Sequence, residues 1–273
     1  MIQLPAHLTP SDEVLAQLRA YQAEIIGDFA TKQALVKRKT IPGFASRNKP
    51  SNPTFKAIRQ VLSDMCSGAR RCAYCEDSVA DEVEHIYPKD LFPDKCYEWL
   101  NYLYACGTCN APKSNQFAVF LLNGDLVVLN SDQEPPHDSS VLINPRLENG
   151  MDFCRLDLIS FHFKIIPPEG TLEHLRADYT FNTVLRLNLQ REYLVEAREN
   201  AYGEYKSRLG YYYSKKQNNA PENQLNKMVE QLKKSNHITV WREMQRSHQE
   251  DLLANIDPEL YDLFQTCPEA LTW

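Results

Sequence analysis

The chain lacks any apolar run of about 18 residues, so nothing in it reads as a membrane-spanning helix. Met1 to His7 offer neither the basic opening nor the apolar core of a secretory signal, and the expected compartment is the cytoplasm. Internal repeats and low-complexity tracts are missing, so no repeat architecture is expected. An excess of positive charge is missing too: the net charge is −6, which taken alone argues against a nucleic-acid partner. What remains is an ordinary soluble composition, 43% hydrophobic and 24% charged, in 273 residues, enough for one large domain or two modest ones.

The distribution of charge changes that judgement. Lys32, Lys37, Arg38, Lys39, Arg47, Lys49, Lys56, Arg59, Arg70 and Arg71 fall between Thr31 and Arg71 with only Asp64 opposing them. Phosphate binding requires a local basic face and not a basic total. The ordinary alternative is a solvated helix surface.

Helical periodicity begins at Ser11, a suitable N-cap. Leu15, Leu18, Tyr21, Ile25 and Phe29 follow, so one helix is expected over 11–38. A loop rich in proline precedes a second helix over 54–67, with Phe55, Ile58, Leu62 and Met65 on one face. Residues 70–115 read as turns, a short hairpin and a short helix around Tyr97 to Leu103. Asn123-Gly124 between apolar runs predicts a hairpin over 118–129. A loop over 131–140, an extended piece from Val141 to Arg146 and a strand over 161–166 follow. The remainder reads as helices from about Thr180 to Leu209, over 221–235 and over 238–255.

Eight cysteines in a chain without an export signal point to metal before disulfides. Cys72 with Cys75, and Cys106 with Cys109, form two CxxC pairs, the spacing that places two thiolates on one ion. Four thiolates complete a tetrahedral zinc site with no open position, hence a structural one. Neither pair has the strand–helix context of a redox motif. Cys66, Cys96, Cys154 and Cys267 are scattered and read as free thiols. Between and after the pairs stand Glu84, His85, Asn101, Asn110 and Lys113. Singly each has a bland explanation; as an ordered set framed by zinc ligands they suggest one site.

The stretch from Cys72 to Phe117 resembles the HNH endonuclease, or ββα-metal, motif: a carboxylate–His pair after the first CxxC, an Asn in the next segment, and an Asn just after the second CxxC. A looser match from about residue 25 to 210 includes Glu84 to Lys89, Trp99 to Cys106 and Leu142 to Arg146. It resembles PtuB-like HNH proteins, the nuclease partners in Septu-type and some retron-linked antiviral systems. The resemblance implies Glu84 and Asn110 as ligands of Mg²⁺ or Mn²⁺, His85 as general base, and Asn101 as the residue that holds the loop or orients His85. It departs from the common pattern in having Glu, which reaches further than Asp, before the histidine.

These residue types suit phosphodiester hydrolysis without the family. The reaction needs an activated water and neutralisation of charge on the phosphate and leaving oxygen. Histidine is largely neutral at pH 7 and can accept a proton. Carboxylate and amide oxygens suit hard divalent cations. Lys113 is expected to touch a phosphate oxygen, and Arg70, Arg71, Lys89 and Arg146 are candidate nucleic-acid contacts, Arg146 alternatively packing against the active site. His162 and His174 lack partner spacing and read as structural. Tyr211, Tyr212 and Tyr213 with Lys215 and Lys216 read as a stacking patch or a helix-end cluster.

The expected fold class is α+β, mainly helical, with a small ββα-metal nuclease core and a four-cysteine zinc site. Its segments are a helical, basic 1–68, a core over 69–130 and a helical 131–273 packed with it. Cutting of DNA is the leading function, with RNA left open. The resemblance implies an ABC/SMC-like ATPase partner, for which the acidic remainder of the chain, at −15, offers a protein-binding surface. Cutting of both strands calls for a second copy in the assembly. The alternatives are a stand-alone restriction-type enzyme, which lacks a recognisable helix-turn-helix reader here, and a non-catalytic zinc-ribbon module that binds nucleic acid or protein.

Overall fold

The computed structural model describes residues 1–25, 43–129, 139–182 and 187–273. It is α+β and about half helical among these residues. No described helix is long and apolar enough to cross a membrane. Lys32, Lys37, Arg38, Lys39, Val184 and most of the loop expected over 131–140 lie outside the described residues.

Helix α1 (Asp12–Ala23) starts where Ser11 caps the Val14 N–H and ends at a turn that Glu24 N–H closes onto Ala20 O. The helix expected over 11–38 thus closes a first segment at Ala23, and its part over 26–38 lies outside the described residues. After a short α2 (Phe44–Arg47), α3 (Pro53–Met65) is capped by Asn52, which accepts from Thr54 and Phe55 N–H, with Pro53 in the first turn. Phe55, Ile58, Leu62 and Met65 form its buried stripe.

Strands β1 (Glu82–His85) and β2 (Tyr102–Ala105) pair antiparallel, with Glu84 opposite Leu103 and His85 opposite Tyr102. Helix α4 (Gly107–Lys113) follows directly, so the local order is strand, strand, helix. The helix expected around Tyr97 to Leu103 is instead a 3-10 turn over Trp99–Asn101 that runs into β2. Tyr102 and Tyr104 are buried on one face of the ribbon and Leu103 and Ala105 on the other, a period that only a strand provides.

The Asn123-Gly124 hairpin forms as expected, joining β3 (Ala118–Phe120) to β4 (Leu126–Val128). Gly124 has φ +87°, a backbone that side chains resist. A third ribbon pairs β5 (Cys154–Leu156) with β6 (Phe163–Ile165). The C-terminal helices are α5 (Leu172–Phe181), α6 (Glu192–Gln217), α7 (Glu222–Lys233), α8 (Ile238–Gln249), α9 (Leu253–Ile256) and α10 (Pro258–Thr266). The helix expected from Thr180 is not one piece: Thr180 lies in the last turn of α5, and α6 begins only after Asn188, whose φ is +42°. Asp251, with φ +57°, likewise closes the segment expected over 238–255 after α8.

Two hydrophobic clusters meet on the β1–β2 ribbon. One joins Leu18, Phe44, Phe55, Ile58 and Leu62 to Val83, Tyr102 and Tyr104. The other runs from the four cysteines and Leu103 through Phe117, Ile143 and Phe163 to Leu194, Tyr205, Trp241 and Phe264. Apolar contact thus crosses both segment boundaries drawn at 68 and 130.

A buried carboxylate fastens α8 to β5. Glu243 accepts from Arg155 at 2.8 and 3.0 Å, from Leu156 N–H and from Arg246. Removing one member of such a buried set leaves charge without its partner. Glu243→Leu is expected to cost about 3 kcal/mol in urea unfolding, the lower end for buried pairs because both arginines keep some solvent. A loss under about 1 kcal/mol would show that water holds these arginines instead.

Candidate metal centre and active-site cleft

The two CxxC pairs converge. All four sulfurs, on Cys72, Cys75, Cys106 and Cys109, lie within 4.8 Å of one another and every one of these residues is buried. A zinc–sulfur bond of about 2.3 Å implies tetrahedral edges of about 3.8 Å. Cys75 Sγ and Cys106 Sγ stand 3.9 Å apart, so the quartet fits a tetrahedral ion with little adjustment. Thiol–thiol hydrogen bonds hold Cys106 below the ordinary thiol range and push Cys72 and Cys109 above it. Local backbone explains the convergence. Cys109 and Asn110 N–H both turn back to Cys106 O, and Ala73 N–H bonds to Tyr104 O, which ties the first pair to β2. Burial pushes the thiols of Cys66, Cys96 and Cys154 up to about 12, so the scattered cysteines are inert by comparison.

His85 ends β1 and lines a cleft of about 520 Å³ with Phe44, Arg59, Glu82, Glu84, Lys89, Asp90, Asn110 and Asn115. Its Nε2 lies 2.9 Å from Cys96 O. A carbonyl only accepts, so Nε2 carries the proton and Nδ1 keeps the lone pair. Phe44 and Tyr102 pack edge-on against the ring at centroid distances of 4.7 and 5.1 Å. Burial pushes the imidazole pKa down to about 3, and Lys89 and Lys113 add to the fall. The ring is therefore neutral at pH 7.

Glu82 and Glu84 alternate with Val83 and so face the same side of β1, toward α4, where Asn110 and Lys113 are three residues apart. Asn110 Nδ2 donates to Glu82 Oε2 at 2.6 Å, and Lys113 Nζ pairs with Glu84 Oε1 at 2.5 Å. The expected pair Glu84 and Asn110 thus lines one cleft, but each holds a different neighbour. Burial raises the Glu84 carboxyl although Lys113 opposes it. The donor set of Glu82, Glu84, Asp90 and Asn110 is all hard oxygen, which fits Mg²⁺ or Mn²⁺ in kind.

Lys113 corrects the expectation of a phosphate contact. It is 1% exposed and also donates to His85 O at 2.8 Å, so it ties the Glu84 side chain to the His85 backbone. Asn101 accepts from Tyr87 N–H at 2.7 Å and donates to Tyr87 O and Lys95 O, clamping the loop between the strands. Arg146 follows the alternative reading: it is 4% exposed, stacks on Trp99 and donates to Tyr102 O at 2.7 Å, so it packs behind the strand residue that abuts His85. Arg70 is exposed and Arg71 donates to Asp77 O. Lys89 pairs with Asp90 on the cleft wall. His162 and His174 bond to carbonyls in their own turns. Tyr212 and Lys216 bind Glu269, so that cluster braces the end of α6.

Sequence reasoning missed Glu82 as a site residue and named Arg59 only as one member of a basic run, not as part of the cleft. Glu82 was legible, since strand alternation puts it beside Glu84. Arg59 was not: only the packing of α3 brings it to the cleft, where Asn48 and Phe55 O hold its guanidinium.

Two outcomes are expected of this site. The purified chain carries one zinc per molecule by elemental analysis, and Cys106→Ala loses it with a fall in thermal midpoint. The second concerns pH. In the unfolded chain a histidine protonates near 6.5, whereas His85 stays neutral to about 3, so its contribution to stability is full above about pH 6.5 and falls as pH drops. Urea unfolding between about pH 6.5 and 4.5 is expected to lose up to about 1.4 kcal/mol per unit from this group. His85→Gln removes that part of the slope; an unchanged slope would place the acid-sensitive group elsewhere.

No protein-family model and no solved structure matches the chain. One stretch does have a named relative: over 61 residues it is 42% identical to the Septu protein PtuB of Bacillus thuringiensis. The match takes in 20% of this chain and 23% of that protein, so a partial likeness to a Septu protein is what comparison establishes.

Proposed function

We propose that this chain is a metal-dependent HNH-type endonuclease that hydrolyses DNA phosphodiester bonds, the nuclease subunit of a Septu-type antiviral system that works with an ABC/SMC-like ATPase. One observation carries the reading: a neutral histidine, its tautomer set by Cys96 O, stands in a cleft lined by hard-oxygen ligands.

A divalent cation held among Glu82, Glu84 and Asn110 would supply neutralisation of the phosphate and the leaving 3′-oxygen. His85 Nδ1 accepts a proton from the attacking water. The Cys96 carbonyl keeps Nε2 protonated, and so keeps the lone pair on the nitrogen that needs it. Phe44 and Tyr102 fix the ring plane, which makes the base ready before substrate arrives. Arg59 and Lys89 on the walls are placed for the phosphates that flank the scissile bond. The partial likeness to PtuB supports the antiviral setting.

Supercoiled plasmid incubated with Mg²⁺, Mn²⁺ or chelator tests the proposal. Nicking or linearisation is expected with metal only, and His85→Ala is expected to slow it by about 10²–10⁴-fold. Glu82→Gln, at an exposed position, is expected to weaken the dependence on Mg²⁺ without unfolding the chain. Cleavage that survives His85→Ala overturns the mechanism. DNA binding by the folded chain without cleavage under either metal, with the ATPase added, supports the non-catalytic zinc module instead.

A further inference from the structure

We infer that Arg191, 82 residues beyond Cys109, is an outer partner of the four-cysteine centre that sets how tightly it holds zinc. The inference goes beyond the nuclease reading and does not depend on it. Arg191 Nη2 donates to Cys109 Sγ at 3.3 Å, and Nη1 donates to Thr108 O at 3.0 Å. Two arms of one planar guanidinium therefore grip a ligand sulfur and the backbone between the two ligands of the second pair. The ring of Tyr193 lies 5.2 Å from the guanidinium carbon and helps to hold its plane.

The physical need is plain. Zn²⁺ with four thiolates carries a charge of −2 in a buried site, and buried charge is costly unless it is paired. Among the described residues, Arg191 is the cation that hydrogen-bonds a sulfur of the quartet. An N–H···S bond draws electron density from the thiolate, so the sulfur is less readily protonated away from the ion. The bond also has a fixed source. Arg191 is the residue immediately before α6, so the helix that runs through the C-terminal core delivers the guanidinium. Metal retention and docking of α6 are in this way one event. Outer partners of this kind typically account for about 10–100-fold in metal affinity.

The test compares the full-length chain with Arg191→Ala, Arg191→Gln and Arg191→Lys. Zinc affinity is read by competition with a chromophoric chelator, and the sulfur-to-metal charge-transfer band is read after cobalt substitution. Arg191→Ala is expected to lose about 10–100-fold in zinc affinity and to shift the cobalt band to lower energy, because an unbonded thiolate is the better donor. Arg191→Gln keeps a neutral donor and Arg191→Lys keeps the charge, so both are expected to fall between alanine and the parent. If the alanine chain does not fold, the order of these two against the parent carries the test. A role confined to starting α6 would lower the thermal midpoint and leave the band where it was. Unchanged affinity with an unchanged band in the substituted chains overturns the inference.

Discussion

The pairing register of β1 with β2 is the constraint on which the rest of the site depends. Because side chains alternate, a slip of one residue would send Glu82 and Glu84 toward Phe44 and His85 toward α4. The register is held on one side because β2 is anchored by the cysteines. Ala105 runs straight into Cys106, and Ala73 N–H bonds to Tyr104 O, so the first pair is tied to the strand that leads to the second. A four-cysteine cluster that does not line the cleft can in this way decide which carboxylates face it.

The ribbon is also unusual in what it buries. His85, Glu84, Lys113, Asn101 and Arg146 are all nearly inaccessible to solvent. Burial of such groups is tolerable only when their hydrogen bonds are met inside the protein. Lys113 meets both Glu84 and the His85 carbonyl, Asn101 meets three backbone groups of one loop, and Arg146 meets Tyr102 O and the Trp99 ring. Each polar side chain spends itself on the backbone of a neighbouring segment. The cleft wall is consequently tied to several backbone segments at once.

Much of this was open to inspection in the sequence, and the reasons for the remainder are physical. The CxxC spacing, the Ser11 helix cap and the Asn123-Gly124 turn are local signals whose geometry does not wait for the fold, and the structure carries each of them. The start of α10 at Asp257-Pro258 has the same capping chemistry and was legible, although no helix was expected there. Lys113 and Arg146 could be recognised as charges near the site, but not as buried ones, since burial is decided by α4 and by the segment after β4 closing over the ribbon. Arg191 had no local signal at all. Nothing in its neighbours indicates a sulfur 82 residues earlier, and the pairing exists only once α6 is docked.

That dependence bears on the C-terminal region as a whole. Its helices are nearly balanced in charge and carry none of the residues proposed for hydrolysis, which invites a view of them as an appendage. The shared core argues otherwise. Trp241 and Phe264 belong to the same apolar cluster as Cys72 and Cys109. Glu76, at the end of the first cysteine turn, accepts from Thr239 N–H at 3.0 Å and from its hydroxyl at 2.7 Å at the start of α8. Loss of these helices would expose the back of the zinc centre before it touched the cleft. A partner that moves them has a direct physical route to the cysteines and, through β2, to His85.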